Sequence, residues 1–519
     1  MTQILSPMPT IKLQKYFSNS YDHAVAAART CYNPKVMSEK EVTEGHRERI
    51  GKGCFEGGHH TVFQHAHFSF KMENISRHVV WAFLHSHTFY NSEQSSQRYV
   101  KLNEIKATIP PIEGEALKIY STAIVRSWEV YRQLSEILLE DIIDIEKKTF
   151  PNKVVDEKER RKLDKKAIEL ARYVVPVAAH TSMVHTLSGI TIYRLHKTMN
   201  QLPCPWEARV IVNKMIDEVK KVDANFFKDL KDPWPLEETQ EFKAMKYLVE
   251  IGDSYDHTED FIKEFDEELE GKRVKLVSYL QDSEKIMADS IRAVLGATKS
   301  RLNDEDAIAL VLDPKKNLYL TDTLNISSHS PLMRSMMHPY FVFKKKISHT
   351  ADSQNQRHRM APATRPVLIF QDTETPDYIT PVVIQRNPKA KKIYDDFMIE
   401  IWDYKNKLLE LGVSKEYAQY LLPNSVSIRL VESGNLANLW HKWRMRLCNT
   451  AQREIWECSI QEVEQVGEVF PLLAKHVGPD CKLRYNADPK IKPFCTEGPR
   501  WCGFPVWIWD KIEENKRPI

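Results

Sequence analysis

The chain repeats itself, and a duplicated sequence builds two like units, not one large irregular body. Residues 12–20, KLQKYFSNS, return at 275–283 as KLVSYLQDS. Each copy runs into a stretch with helical spacing, DHAVAAART from Asp22 and EKIMADSIRAVLG from Glu284. Farther on, His65-Ala-His-Phe68-Ser-Phe70-Lys71 is echoed by His338-Pro-Tyr-Phe341-Val-Phe343-Lys344. Apolar residues two apart read as a half-buried strand. The two echoes are offset by 263 and 273 positions and keep their order, so loop insertions account for the drift.

The length of 519 residues agrees with this, because it exceeds what one hydrophobic core serves. The stretch 236–272 is rich in charge, holds no Pro, and is apolar only around Lys246–Ile251. It reads as a solvated helical linker between repeat one, 1–235, and repeat two, 273–519. Within repeat one, Glu159–Val174 has helical spacing and runs out before Pro176. Within repeat two, Lys391–Glu410 does the same and stops near Gly412, a suitable C-terminal cap. Trp206–Phe227 and Leu436–Val466 are further amphipathic stretches. Strands with long helices in each repeat predict a mixed α/β layer fold of the α+β class, each sheet packed with long helices.

Composition excludes several classes. A net charge of +3 leaves no basic footprint for nucleic acid. No segment approaches the roughly 18 apolar residues of a membrane helix. The N-terminus lacks the pattern of a secretory signal, so a cytoplasmic location is expected. Of the eight cysteines, Cys458, Cys481, Cys495 and Cys502 gather late in the chain, but no CxxC pair occurs. Neither a disulfide framework nor a metal site is expected, and reduced thiols are.

Two segments carry chemistry. In repeat two, Gln354-Asn-Gln-Arg357-His358-Arg359 sets two guanidinium forks and an imidazole side by side. In repeat one, Ser92-Glu93-Gln94-Ser95-Ser96-Gln97-Arg98-Tyr99 puts a hydroxyl two residues from an arginine. Both patterns suit phosphate oxygens. Taken alone, the first also fits a solvated basic run, and the second a polar turn entering a strand at Tyr99-Val100.

The stretch from His59 to Tyr99 resembles the flavin-dependent thymidylate synthase family (ThyX). That family carries a GHxT segment, then Arg-His-Arg, seven residues, and a Ser-x-Arg-Tyr ending. Here Gly58-His59-His60-Thr61 matches the start and Ser96-Gln97-Arg98-Tyr99 the end, but Ser86-His87-Thr88 replaces Arg-His-Arg. Repeat two does the reverse: Gln354 and Arg357-His358-Arg359 are intact, while Val367 and Ile369 stand for the Ser and the Arg. Pro331-Leu332-Met333-Arg334 replaces its GHxT piece. Downstream, repeat one keeps the family's early arginine as Arg172 before Pro176, then has Ser188 and Met199 where the family has Asn and Arg. Repeat two has Gln419 before Pro423, then keeps Asn435 and Arg446. The helix that follows in the family fits Cys204-Pro205-Trp206-Glu207 and Ala451-Gln452-Arg453-Glu454.

Each repeat retains what the other has lost. In the family, active sites form at subunit interfaces from these two kinds of half-site. A tandem duplication places both in one chain, so the resemblance implies one composite site with its reciprocal decayed. It also implies reductive methylation of dUMP to dTMP, with FAD as cofactor and NADPH and methylenetetrahydrofolate as co-substrates. Ser96, Arg98 and Arg172 would hold dUMP from repeat one; Gln354, Arg357 and Arg446 from repeat two, with Arg357 and Arg446 nearest the chemistry. His59, Thr61, Arg357, His358, Arg359 and Asn435 are the implied flavin contacts. His441 stands where the family has Asn, and Glu93-Gln94 where it has Asn-Glu. A homodimer would supply four family-like units. The departures leave open a flavoenzyme for another pyrimidine nucleotide, or an inactive nucleotide-binding homologue.

Two look-alikes are set aside. Leu202-Pro203-Cys204-Pro205 is similar to the nucleophile segment of classical thymidylate synthase, but no His follows Cys204, so a structural cysteine is expected. The aromatic run from Trp501 to Trp509 is expected to pack in a core.

Overall fold

The computed structural model describes residues 4–201, 203–251, 258–508 and 517–519. The echoed segments are the first strand pairs of two sheets. Repeat one runs β1 (Thr10–Tyr16), α1 (Ser20–Thr30), β2 (His67–Ser76), α2 (Arg77–Ser86), β3 (Tyr90–Gln94), α3 (Gly114–Thr149), α4 (Glu157–Ala171), β4 (His180–Ser188), α5 (Gly189–Thr198) and α6 (Pro205–Lys220). Next come α7 (Gln240–Ile251) and α8 (Thr258–Glu268). Repeat two runs β5 (Val274–Tyr279), α9 (Ser283–Leu295), β6 (Tyr340–Ser348), α10 (His349–Asn355), β7 (Ala363–Thr364), α11 (Pro388–Glu410), β8 (Ser427–Asn435), α12 (Leu436–Arg446) and α13 (Arg453–Val469), followed by α14 (Asp480–Ala487). Shorter helical turns are left unnumbered.

The sheets are antiparallel, ordered β1-β2-β4-β3 and β5-β6-β8-β7, and long helices pack on each, as an α+β fold requires. The period-two residues are the buried face: Phe68, Phe70, Phe341 and Phe343 are fully buried. The likeness reaches irregular detail. The β1–β2 register slips between Leu13 and Lys15, and the β5–β6 register between Leu276 and Ser278, the same place in each copy. Asn19 and Asp282 precede α1 and α9 in the left-handed region, at φ 52° and 56°. Asn and Asp tolerate that conformation best among residues with a side chain.

The repeats join along a seam with approximate two-fold symmetry at Pro176 and Pro423, which face each other as a β-bridge. Val177 N–H donates to Leu422 C=O at 2.8 Å, and its mirror, Asn424 N–H, donates to Val175 C=O at 2.9 Å. Ala178 N–H to Tyr420 C=O (3.1 Å) mirrors Ser425 N–H to Tyr173 C=O (3.0 Å). The Tyr173 hydroxyl donates to Glu454 at 2.6 Å, and the Tyr420 hydroxyl to Glu207 at 2.8 Å. Each glutamate also holds the N-cap serine of its own repeat, Ser348 through N–H at 2.6 Å and Ser76 through N–H at 2.8 Å. α3 and α11 lie side by side across the seam, with Arg126 on Glu400 at 3.0 Å.

Three expectations change. Leu436–Val466 is two helices, because residues 447–452 break between α12 and α13. The helix expected over Trp206–Phe227 ends at Lys220. The linker is not solvated throughout: α8 buries Phe265, and Asp266 pairs with Arg429 and with Lys346 at 2.6 Å, so its acidic face meets basic side chains of the two inner strands of the second sheet. Residues 252–257 of that stretch lie outside the described residues, as do Leu202 and Trp509.

Candidate functional site

Repeat one supplies its half from the loop after β3 and the last turn of α4. The Ser96 hydroxyl accepts Arg98 N–H at 3.2 Å, a local turn that orients the following side chain. The Arg98 guanidinium pairs with Glu169 and reaches across the seam to donate to Thr450 C=O at 2.7 Å. It lies over the Tyr99 ring, 5.3 Å from the centroid. Glu169 and Arg172 are one helical turn apart, so α4 presents both to the same place. Burial works against Arg98's charge, but Glu169 outweighs it and lifts its pKa above the ordinary value. Burial pulls Arg172 down, with Arg98 adding repulsion, and its Nη2 is buried without a partner among the described residues.

Repeat two supplies its half from the end of α10 and the end of α12. Asn355, between Gln354 and Arg357, donates to Glu432 at 2.6 Å. Glu432 belongs to a buried tetrad with Lys345, Lys442 and Glu462, each at most 2 % exposed, and Trp443 donates to Glu462 at 2.7 Å. Burial opposes the charge of Glu432, yet the two lysines hold its pKa well below the carboxylate range. The tetrad thereby locks β6, β8, α12, α13 and α10 together beneath the site. The Gln354 amide donates to Gln452, whose own amide donates to the Tyr173 hydroxyl of repeat one. Arg446 donates to His358 Nε2 at 2.9 Å and to Gln354 C=O at 2.7 Å. Burial, then Arg446 itself, drives His358 well below its ordinary pKa. The ring is therefore neutral, accepts at Nε2 and carries its proton on Nδ1.

The halves meet within one chain. Arg357 grips Glu93 of repeat one with both terminal nitrogens, at 3.0 and 2.6 Å. Arg359 donates to Thr88 C=O at 3.3 Å and Asn91 at 3.2 Å. Burial lowers Arg446 to about 10, with repulsion from Arg98 and Arg357 contributing. Thus Ser96, Arg98, Arg172, Gln354, Arg357 and Arg446 share one seam, where guanidiniums outnumber carboxylates. A cavity of about 190 Å³ is lined by β3 together with Arg357 and Arg359. A larger one, about 1030 Å³, begins at Arg98 and Tyr99 and is walled by Gln452, Arg453 and C-terminal residues 497–504 and 517–519.

Other expected residues fall elsewhere. Asn435 spends its side-chain oxygen capping α12, accepting Asn438 N–H at 3.0 Å. The His441 ring stands 6.0 Å from that of His358. His59 and Thr61 are exposed in the turn before β2, where His59 N–H donates to Cys54 C=O at 2.8 Å. That turn precedes His67, whereas Arg77 and the Ser95 loop meet at the Ser76 end of β2, about 30 Å away along ten strand residues. Of the decayed reciprocal positions, Met199 and Gln419 are buried, and the Gln419 amide has no partner among the described residues. Burial pushes the Cys204 thiol well up, the reverse of an activated nucleophile. Trp501 is half-exposed instead of packed in a core, and the Phe504 ring meets that of Phe150 at 5.1 Å, tilted by 52°, as part of the cavity wall. All eight cysteines are free, and no group of metal-ligating side chains is assembled among the described residues.

Sequence reasoning passed over Glu169 and Thr450. The helical spacing of Glu169 to Arg172 was a usable signal. The Thr450 contact is through a backbone carbonyl and left none.

A model of the family described as thymidylate synthase complementing protein matches residues 12–223 and again 275–472. A flavin-dependent thymidylate synthase of Clostridium tetani is 30% identical over 224 residues, 42% of this chain and 85% of that protein. Its namesake from Sulfurisphaera tokodaii is 32% identical over 215 residues, 41% of this chain and 80% of the relative. The one from Sulfolobus acidocaldarius is 31% identical over 216 residues, again 41% and 80%. Matched twice in tandem over most of its length, the chain belongs to the thymidylate synthase complementing protein family and carries the family domain in two copies.

Proposed function

We propose that the chain converts dUMP to dTMP by flavin-dependent reductive methylation, using methylenetetrahydrofolate and NADPH, at one composite site between its repeats. One observation supports this most: the two complementary half-sites converge across the seam of a single chain, with Arg98 bonded to Thr450 and Arg357 to Glu93.

Ser96, Arg98 and Arg172 hold the nucleotide, principally its phosphate, and Arg172 Nη2, which has no partner among the described residues, is a donor for it. Gln354, Arg357 and Arg446 approach the base and sugar from the other repeat. Arg446 stays protonated at neutral pH and can stabilise negative charge developing on the pyrimidine. His358, neutral and bonded to Arg446, fixes the direction of that guanidinium. Glu169 keeps Arg98 in place without cancelling the excess of positive charge.

FAD would fit the donor set at Arg357, His358 and Arg359, where the two guanidiniums suit a pyrophosphate. When bound, the flavin and folate supply hydride and carbon; the chain supplies binding, orientation and charge. The working unit in this reading is a homodimer with two working sites, to which His59 and Thr61 add flavin contacts.

Tritium release from 5-labelled dUMP tests the reading. Release that requires both NADPH and methylenetetrahydrofolate is expected. A purified, flavin-loaded protein that releases none with both present would sink it.

A further inference from the structure

Arg77 is the first residue of α2, and its backbone is fixed on both sides. Ser76 before it is clamped by Glu207, through N–H at 2.8 Å and Oγ at 2.5 Å, and Arg77 N–H donates to Ala179 C=O at 3.0 Å. The guanidinium then reaches the loop after β3. Nη1 donates to Gln94 Oε1 at 2.9 Å, and Nη2 donates to Ser95 C=O. These are the two residues before Ser96, so the turn bearing Ser96 and Arg98 hangs from Arg77.

The third nitrogen, Nε, is buried with no partner among the described residues, as is Nη2 of Arg172. The two guanidiniums are close enough to repel: burial first, then Arg172, draws Arg77 down to about 9. The side chain that Arg77 grips is an amide, Gln94, so its charge is not neutralised there.

The pseudo-symmetry adds a second argument. In repeat two the equivalent residue is His349, which follows the N-cap Ser348 and donates its N–H to the matching carbonyl, Val426, at 3.0 Å. His349 stands in the repeat that has Val367 and Ile369 in place of Ser96 and Arg98. An arginine at this position therefore goes with the retained phosphate half-site.

Two neighbouring buried cations with spare donors are costly alone and are satisfied together by a doubly charged oxyanion. We infer that Arg77 is a further residue of the substrate site, positioning the Gln94–Ser96 turn and offering donors, with Arg172, to the phosphate monoester of the nucleotide. This rests on the nucleotide reading above.

The test compares Arg77→Met and Arg77→Lys with the wild type in the full chain, using dUMP and inorganic phosphate as probes. Arg77→Met is expected to raise the KM for dUMP roughly tenfold or more, with kcat within about threefold, and to abolish phosphate protection against thermal unfolding. Arg77→Lys should recover most of both. If Arg77→Met does not fold, Arg77→Gln carries the same comparison. Phosphate protection that depends on Arg77 in a protein that ignores dUMP upholds the anion site and overturns the nucleotide reading. A folded variant with unchanged KM and unchanged phosphate protection overturns the role, as does a fall in kcat alone.

Discussion

Arg98 is held by a carboxylate of its own repeat and a carbonyl of the other, so truncating it removes contacts on both sides of the seam. Charge-assisted hydrogen bonds contribute about 1.5–3 kcal/mol each, and losing two predicts a fall of roughly 100-fold or more in kcat/KM for Arg98→Ala. Arg357→Ala, which cuts the link to Glu93, should fall by a similar order. Steady-state tritium release measures both, and near-normal turnover in either would argue against the shared site. The six residues proposed to hold substrate were picked out in the sequence because their motif spacing survives without gaps in complementary copies. Arg77 was not, since it belongs to no motif and works by reaching a loop 17 positions away.

The elements explain how the arginines are kept still. The tetrad of Lys345, Lys442, Glu432 and Glu462 sits beneath α10, and Glu432→Gln strands a buried lysine charge. Such a loss costs about 3–5 kcal/mol. Urea unfolding should show that drop, and the variant should also lose dUMP affinity through Asn355; wild-type stability would contradict the account. The strands were legible because Phe68, Phe70, Phe341 and Phe343 alternate, and α11 because Gly412 ends it with φ of 81°. The break at 447–452 was not, because apolar spacing continues through it. α8 was misread because charge marks a solvated face by default, and only the fold shows Arg429 and Lys346 waiting for Asp266.

Across the whole molecule, acid should open the structure while the arginines of the proposed site keep their charge. His78, His85, His185 and His349 are buried, and desolvation lowers them to about 4, 3, 3 and 3. A base whose pKa falls on folding binds its proton better when unfolded. Stability is thus complete above about 6.5 and lost as pH falls toward the folded values. Each histidine costs about 1.4 kcal/mol per pH unit below 6.5, so the four together cost on the order of 5 kcal/mol per unit. Melting temperature should drop steeply between pH 6.5 and 5, and a flat profile there would refute it. Flavin titration of the proposed homodimer should saturate at two FAD, with four ruling out a single composite site per chain.

The seam at Pro176 and Pro423 has one more consequence. At an interface between identical subunits, every substitution is made twice, once on each side of the axis. Here the mirrored hydrogen bonds of Val177, Ala178, Asn424 and Ser425 are written by separate codons. Tyr173–Glu454 and Tyr420–Glu207 preserve the joint, while Arg172 and Gln419, one position earlier, have gone separate ways. Selection can therefore tune one face of the axis without paying for the change on the other.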